Sequence, residues 1–326
     1  MKALLCTQHG DPELLEVREL ESPEPGPGQI RIDVQAAGVN FPDSLIIRNL
    51  YQFKPDLPFA PGGEIAGIIS ALGSDVQGFS LGDPVMALCG HGGFAQQVIV
   101  DAVKAVKVPP GVPMEMAASF TMVYATSYHG LVDRAQLRPG ETVLVLGAAG
   151  GVGLSAVEIA KAMGARVIAA ASSDEKLAVC REHGADECIN YSREDLRERI
   201  KSLTEGRGVD VVYDPVGGHL AEPAFRSIAW RGRFLVIGFA LGNIPALALN
   251  LALLKGASIV GVFWGAYVAK EPKAFQADMA QLLAWVREGK LRPRISARYS
   301  LADAPKAIRA LMDRTAVGKL VVLPRL

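Results

Sequence analysis

The sequence has few cysteines, no net charge and no long unbroken hydrophobic run. Cysteine occurs only four times in 326 residues, never as a C-x-x-C pair. A disulfide framework is therefore excluded, and we expect reduced thiols in a reducing, cytoplasmic compartment. Lys plus Arg and Asp plus Glu each number 34, so neither nucleic acid nor a charged membrane surface is expected as the main partner. The four cysteines are Cys6, Cys89, Cys180 and Cys188.

Membrane-directed segments are also missing. Before Thr7 only a four-residue apolar run occurs, which is shorter than the ~7–15 residues of a secretory signal. The most apolar later stretch, 251–269, has the length of a membrane span. Lys255-Gly256 interrupts it, and this break favours a helix followed by a strand.

Length and rhythm predict two domains. A chain of 326 residues exceeds the size at which one core usually stops growing. Its first ~120 residues are rich in β-branched residues punctuated by Gly and Pro, and then strands alternate with helical patterns. This alternation is typical of a parallel, doubly wound sheet. The predicted strands are 29–39, 64–72, 94–100, 142–146, 166–171, 209–213, 233–237, 258–263 and 319–323, and the predicted helices include 114–133, 154–163, 220–230, 250–254 and one that starts at a Ser192/Asp195 capping box.

A glycine-rich loop joins strand 142–146 to the following helix. It reads Gly147-Ala148-Ala149-Gly150-Gly151-Val152-Gly153, so the first glycine of G-x-G-x-x-G is replaced by Ala148. Glycines let the backbone approach a pyrophosphate, and the helix N-terminus supplies free N–H groups. A second strand about 20 residues on makes a dinucleotide site the better interpretation than an ordinary tight turn.

The end of that second strand indicates the kind of dinucleotide. Ser172 and Ser173 occupy the position where NAD-binding folds usually place an acid, and Lys176 follows. Hydroxyl groups and a lysine suit a 2′-phosphate, so we predict NADP(H). Two alternatives stay open: residues 173–175 cap the next helix, or Asp174 or Glu175 serves NAD as a ribose-binding acid.

Several further runs, in a fixed order over essentially the whole chain, resemble one family. These are residues 36–43, 61–67, 82–85, 148–153, 189–191 and 214–218. They are similar to the quinone oxidoreductase (zeta-crystallin-like) branch of the zinc-independent medium-chain dehydrogenase/reductases. The resemblance implies an α/β fold with a GroES-like β-domain (1–122 and 266–326) and a Rossmann domain (123–265), with the active site in the cleft. It also implies a homodimer joined through strand 258–263.

The same resemblance implies roles for individual residues. Asn40, Tyr51 and Thr126 belong on the nicotinamide side, and Gly150, Gly151, Val152 and Gly153 hold the pyrophosphate. Ser172, Lys176 and Tyr191, beside Ser173, hold the adenosine phosphate, whereas Phe239, Phe263, Trp264 and Gly265 line the nicotinamide. Core packing is the alternative for Tyr51 and Tyr191.

A metal is not expected. Zinc enzymes of this superfamily need Cys or His near position 40 and before the Glu of a Gly-His-Glu run. Here residues 40–43 read Asn-Phe-Pro-Asp and Gly63 precedes Glu64. Without a Lewis acid, acceptors that take hydride easily are favoured, namely quinones and conjugated carbonyls.

Tyr51 is the predicted proton donor or oxygen-binding group, with Asn40 and Asp43 orienting. For Asp43 a helix cap is the alternative. Two other functions stay open: a 2-enoyl thioester reductase, and a non-catalytic crystallin-like or nucleotide-binding protein.

Overall fold

The chain forms two units, and the computed structural model describes residues 1–326. One unit contains Met1–Met122 and Pro293–Leu326, and the other contains Val123–Arg292. The strands are β1 (Lys2–Leu5), β2 (Glu16–Glu19), β3 (Gln29–Val39), β4 (Glu64–Leu72), β5 (Pro84–Leu88), β6 (Gln97–Asp101), β7 (Ala105–Lys107), β8 (Thr142–Leu146), β9 (Arg166–Ala171), β10 (Glu187–Asn190), β11 (Val209–Asp214), β12 (Ile228–Val236), β13 (Ser258–Gly261), β14 (Ile295–Ser300) and β15 (Lys319–Leu323). The α-helices are α1 (Phe41–Ile46), α2 (Met114–Ala117), α3 (Thr126–Tyr128), α4 (Gly151–Ala162), α5 (Asp174–Glu182), α6 (Leu196–Leu203), α7 (Ala221–Arg226), α8 (Leu249–Lys255), α9 (Trp264–Lys270), α10 (Pro272–Arg287) and α11 (Ala304–Met312).

The first unit is built on a mostly antiparallel sheet in the order β14-β15-β3-β4-β5-β7, with β6 on the other part of β3. β3 is its longest strand and pairs with β4, β6 and β15. Ile30, Ile32 and Val34 alternate along it and are completely buried, as expected for a strand with one face on a core. This pairing brings the last strand of the chain beside Val39, where β3 ends.

The second unit is a six-stranded sheet in the order β10-β9-β8-β11-β12-β13. Every pair in it is parallel. The order reverses between β8 and β11, and in open α/β sheets ligands bind outside the carboxyl ends of the strands at such a reversal. The glycine-rich loop follows β8, and the Asp214-Pro-Val-Gly-Gly turn follows β11, so both occupy this edge.

The predicted helix over 114–133 is wrong as one continuous element. α2 ends at Ala117, and two wide π-helical segments, Thr121–Ala125 and His129–Arg134, flank the short α3. The boundary between the units falls within this stretch, after Met122. Apolar periodicity alone does not distinguish α-helical from π-helical turns.

Other boundaries also differ from the sequence predictions: strands 94–100, 233–237 and 258–263 are replaced by β6, β12 and β13, and helix 154–163 by α4. Two helix ends have a clear local cause. Asp195 alone caps α6, accepting a hydrogen bond from the Glu198 N–H at 2.9 Å. Ser192 instead donates to the Ser172 carbonyl at 2.9 Å. The helix predicted to run to Trp230 stops at Arg226, because β12 begins at Ile228.

The chain returns to the first unit at Pro293 and not at residue 266. α9 and α10 explain this, since their aromatic side chains pack within the second unit. The Trp285 ring lies 5.7 Å from Tyr128, and the His129 and Tyr267 rings stack at 4.0 Å. Residues 266–292 therefore belong structurally with the dinucleotide-type sheet.

The apolar stretch 251–269 forms the end of α8, the short strand β13 and the start of α9. The break predicted at Lys255-Gly256 is present, with Gly256 in the left-handed conformation that ends α8. No helix of residues 1–326 has the length and hydrophobicity needed to cross a bilayer.

Candidate functional site

The glycine-rich loop forms a bare helix N-terminus. Gly150 caps α4 without any side-chain hydrogen bond, so the first N–H groups of the helix, from Gly151 to Gly153, have no partner inside it. A Cβ on Gly153 would lie 2.3 Å from the Gly147 carbonyl oxygen, whereas one on Gly150 would meet only that oxygen, at 3.4 Å. Gly153 is thus required for close packing of α4 on the loop, and Gly150 leaves the N–H groups accessible. This arrangement fits a pyrophosphate.

The end of β9 presents hydroxyl groups and a cation. The Lys176 ammonium donates to the Ser172 hydroxyl at 3.1 Å. Ser173 caps α5, its hydroxyl accepting the Lys176 N–H at 3.4 Å, as the capping alternative predicted. Asp174 accepts hydrogen bonds from the Asn190 amide at 3.0 Å and from Arg193 at 2.9 Å. The donor set around Ser172 fits a phosphate, whereas the acid is already bonded to an arginine.

A buried hydroxyl cluster holds the start of α4, and the sequence reading missed it. The Ser127 hydroxyl lies 2.8 Å from both the Ser155 and the Tyr213 hydroxyl oxygens, and it donates to the Val152 carbonyl at 3.1 Å. Ser127 follows Thr126, which is a predicted nicotinamide-side residue. These hydrogen bonds therefore join the segment of Thr126 directly to the start of α4. Small polar residues at helical spacing were the available signal, but they do not reveal their partners.

A buried carboxylate anchors the other end of α4. Glu158 accepts hydrogen bonds from the Tyr124 hydroxyl at 2.6 Å and from His183 at 2.7 Å. The Arg292 backbone N–H donates to both of its oxygens, at 3.1 and 3.2 Å. Burial, and then the Glu158 charge, raise the pKa of Tyr124 well above its ordinary value, so the phenol stays a donor.

The remaining predicted residues of the second unit have different surroundings. The Phe239 ring lies against Gly217, and a Cβ added to this glycine would be 2.9 Å from the ring. Trp264 is buried on Phe275, with ring centroids 6.1 Å apart, and its indole N–H has no partner. Phe263 and Gly265 are exposed, Thr126 is half-buried, and Tyr191 packs partly against the core of the sheet.

In the first unit, Asn40 belongs to a buried polar network. The Lys319 ammonium donates to the Asn40 amide oxygen at 2.6 Å, to Glu64 at 2.8 Å and to the Val39 carbonyl at 3.1 Å. The Asn40 amide nitrogen donates to Glu64 at 2.8 Å and to the Gly38 carbonyl at 3.3 Å. Glu64 also accepts the Met122 N–H at 2.8 Å. Both polar ends of Asn40 are therefore engaged within this unit.

Asp43 closes the turn that starts at Asn40. Its carboxylate accepts the Asn40 N–H at 2.8 Å and the Gly62 N–H at 3.1 Å, which completes a capping box at the start of α1. The capping alternative thus describes its contacts. Burial raises the pKa of Asp43 to about 7, although both backbone N–H groups and the Lys319 charge oppose the shift.

The charge of Asp43 acts on two other titratable groups, Tyr51 and Cys89. Burial, and next the Asp43 charge, raise the pKa of Tyr51. The Tyr51 ring packs partly against the core of the first unit, and its hydroxyl has no hydrogen-bond partner in the chain. Burial also raises the pKa of Cys89, whose thiol donates to the Gly62 carbonyl at 3.2 Å. Cys89 is thus held as a thiol, and Tyr51 is a phenol with a free polar end.

Glu64 and Lys319 are the residues of this network that sequence reasoning missed. Glu64 appeared only in the 61–67 motif and in the comparison with the Gly-His-Glu run of zinc enzymes, and Lys319 only as the start of the last strand. A separation of 255 residues between them hides their pairing from any local pattern. No three His, Cys, Asp or Glu side chains of residues 1–326 come together in a group that could hold a metal.

A six-stranded parallel sheet in this order, with a glycine-rich loop at its reversal point, is the arrangement of the class of dinucleotide-binding domains. Two sequence families match in agreement with it: the alcohol dehydrogenase GroES-like domain over residues 26–110 and the zinc-binding dehydrogenase over residues 151–287. The first match lies in the first unit and the second match in the other. The zinc in the family's description has no Cys or His ligand at positions 40–43 or 63 of this chain.

Individual relatives narrow this class. A quinone oxidoreductase of Pseudomonas aeruginosa is 37% identical over 99% of both chains. The quinone oxidoreductase-like protein 2 of Rattus norvegicus is 37% identical over 98% of this chain and 91% of its own. Among solved structures, the Escherichia coli quinone oxidoreductase complexed with NADPH superposes with a TM-score of 0.94 at 30% identity, covering 99% of this chain and 100% of the other. The chain belongs to the quinone oxidoreductase branch of the zinc-independent medium-chain dehydrogenase/reductases, and it is an oxidoreductase.

Proposed function

We propose that this protein is an NADPH-dependent reductase of quinones or similar conjugated carbonyl acceptors that works without a metal. The observation that carries this proposal is the pairing of a bare α4 N-terminus with a β9 end that offers Ser172 and Lys176 in place of an acid. Such a pair fits the pyrophosphate and 2′-phosphate of NADPH. The NADPH complex of the Escherichia coli relative supports the same cofactor.

The residues of the chain divide the binding of NADPH among them. Backbone N–H groups of Gly151–Gly153, left accessible by Gly150, would hold the pyrophosphate, and Ser172, Lys176 and Tyr191 the 2′-phosphate. Thr126, Phe239 and residues 263–265 of the second unit would contact the nicotinamide, and Asn40 and Tyr51 are the nicotinamide-side residues proposed for the first unit. When bound, the cofactor supplies a hydride. The protein supplies orientation and excludes water.

Tyr51 would bind the acceptor oxygen. A phenol with a raised pKa stays protonated at neutral pH, so its hydroxyl can donate a hydrogen bond to an oxygen that gains negative charge. Asp43 and Asn40 would orient the turn that precedes Tyr51. Their hydrogen bonds, which all lie within the first unit, hold this turn in place. Quinones and enones suit such a site because conjugation moves the new charge onto that oxygen.

The test compares acceptors and two tyrosine variants. Purified protein with NADPH should reduce a simple 1,4-quinone, and Tyr51→Phe should lower kcat about tenfold or more, as loss of one oxyanion hydrogen bond predicts. Tyr299→Phe is the matched control, because Tyr299 also packs against the core of the first unit. Full activity of Tyr51→Phe on every acceptor would remove its chemical role. Preference for an enoyl-CoA would make the protein a 2-enoyl thioester reductase, and turnover of neither would favour a crystallin-like or nucleotide-binding role.

We place the protein in a reducing cytoplasm, as its few cysteines predict. The exposed edge of the parallel sheet supports a homodimer. β13 is the last strand of its sheet, and large apolar side chains around it are exposed: Trp230, Leu249, Leu253, Leu254, Ile259 and Phe263. A strand with one unpaired edge among such residues favours pairing with a second copy. Ile259→Lys should shift the mass measured by light scattering from dimer to monomer, whereas Leu81→Lys, at another exposed leucine, should not. A wild-type protein that is monomeric at all concentrations would exclude the dimer.

A further inference from the structure

Beside Ser172 lies an ion pair between Asp174 and Arg193, and no role was predicted for Arg193 from the sequence. Arg193 follows β10 and donates one hydrogen bond to Asp174, at 2.9 Å. Both side chains are more than half exposed, at 65% and 54%. A guanidinium carries five N–H donors, so most of those on Arg193 have no protein partner. The pair is held loosely on the Arg193 side and can rearrange.

Hydrogen bonds of neighbouring residues connect the segments that carry this pair to the predicted phosphate residues. Ser192, the neighbour of Arg193, donates to the Ser172 carbonyl at 2.9 Å, and Lys176 donates to the Ser172 hydroxyl at 3.1 Å. The Asn190 amide bonds the same Asp174 oxygen as Arg193 does, at 3.0 Å. These bonds therefore hold the loop after β10 beside the start of α5. Arg193 lies on this loop and Lys176 lies in this helix.

The charges on the loop after β10 and on the start of α5 indicate what the Asp174–Arg193 pair would do. Asp174 is the residue that would accept hydrogen bonds from the ribose hydroxyls in an NAD-type site. Here Asn190 and Arg193 already occupy its Oδ1, so a carboxylate that would repel a 2′-phosphate is neutralised. A phosphate binds a guanidinium through two parallel hydrogen bonds, which an ammonium cannot offer.

We propose that Arg193 is a specificity-determining residue for the 2′-phosphate, held ready by Asp174 and acting together with Lys176. This inference rests on the proposed NADPH function. Asp174 holds the guanidinium at the start of α5. When a 2′-phosphate arrives, the N–H donors of Arg193 that Asp174 does not use bind the phosphate, so the guanidinium bridges the two groups and the carboxylate stays neutralised. No bond is made or broken other than hydrogen bonds.

Two small nucleotides isolate this contribution without any catalysis. Adenosine 2′,5′-bisphosphate carries the 2′-phosphate and 5′-AMP lacks it, so the ratio of their calorimetric Kd values reports the subsite alone. Arg193→Gln should weaken the bisphosphate about tenfold, the size expected for one charge-assisted hydrogen-bonded contact, and leave 5′-AMP unchanged. Arg193→Lys should keep part of the affinity. Arg226→Gln is the matched control, because Arg226 also pairs with a single carboxylate, Glu222, and both side chains of that pair are exposed.

Each result decides between the alternatives. Equal weakening of both nucleotides in Arg193→Gln, or no change in either, would overturn the role of Arg193. Asp174→Asn should leave 5′-AMP binding unchanged, whereas loss of 5′-AMP and NAD binding would make Asp174 a ribose ligand and contradict the inference. If wild-type protein binds both nucleotides equally, the NADPH proposal fails together with this one. A wild-type preference for the bisphosphate that Arg193→Gln retains overturns only the role of Arg193.

Discussion

The two units present their candidate functional groups in opposite ways. In the second unit, the backbone N–H groups at the start of α4 have no partner within the helix, and the side chains of Ser172, Ser173 and Lys176 after β9 are only partly buried. Their positions follow from residues close in sequence. In the first unit, Lys319, Glu64 and Asn40 are buried and bonded to one another. The proposed phosphate site thus has open donors, whereas the turn proposed to orient Tyr51 has donors that are already satisfied.

The largest expected effect tests the buried side of this comparison. Lys319→Met leaves the Glu64 carboxylate buried without its cation, and loss of one partner of a buried pair costs about 3–5 kcal/mol. The free energy of unfolding in urea should fall by that amount. Lys319→Met combined with Glu64→Gln should recover most of it, because no unpaired charge remains. If the double variant is no more stable than the single variant, the charge pair does not dominate the network.

The second prediction concerns pH and Asp43. Its pKa is raised to about 7 in the folded protein, against about 3.9 unfolded, so the folded state holds more protons between these values. The contribution of Asp43 to stability is then full below pH 4 and is lost as the pH rises to 7, by at most about 1.4 kcal/mol per pH unit.

Urea unfolding from pH 4 to pH 8, compared between wild type and Asp43→Asn, measures this contribution. As the pH rises, the free energy of unfolding of the wild type should fall relative to that of Asp43→Asn. A difference that does not vary with pH would mean that Asp43 keeps an ordinary pKa.

Two glycine variants sharpen the open side of the comparison. Gly153→Ala places a Cβ 2.3 Å from a carbonyl oxygen, and such overpacking costs about 1–3 kcal/mol. It should lower both stability and NADPH affinity. Gly150→Ala, which meets only one atom at 3.4 Å, should reduce NADPH affinity with little change in stability. Equal effects of the two variants on thermal unfolding would contradict the division of roles between these glycines.

The smallest expected effect tests a helix cap in the second unit. Asp195→Ala removes the side chain that accepts the Glu198 N–H, a loss of about 1 kcal/mol. Ser192→Ala should have a smaller effect on unfolding, since Ser192 bonds the Ser172 carbonyl and caps no helix. The reverse order would restore Ser192 as the capping residue.

Sequence patterns predicted the local parts of this protein well. The strands 29–39, 64–72, 142–146, 166–171 and 319–323 agree with the structure to the residue, because alternating or continuous apolar runs bounded by Gly and Pro are local signals. Helical periodicity was less reliable. It merged α2, α3 and the π-helical turns into one helix, and it extended α7 across the start of β12.

The sequence by itself determined the glycine loop, the absence of an acid at the end of β9 and the absence of Cys or His at positions 40–43 and 63, since each depends on neighbouring residues. Only the tertiary structure decided that Lys319 bonds Asn40 and Glu64, that Arg193 bonds Asp174, and that residues 266–292 pack with the second unit. Strand register and loop packing bring these groups together across 19 to 279 residues. No local preference encodes such pairings, because they arise when a sheet orders its strands and buries their charges.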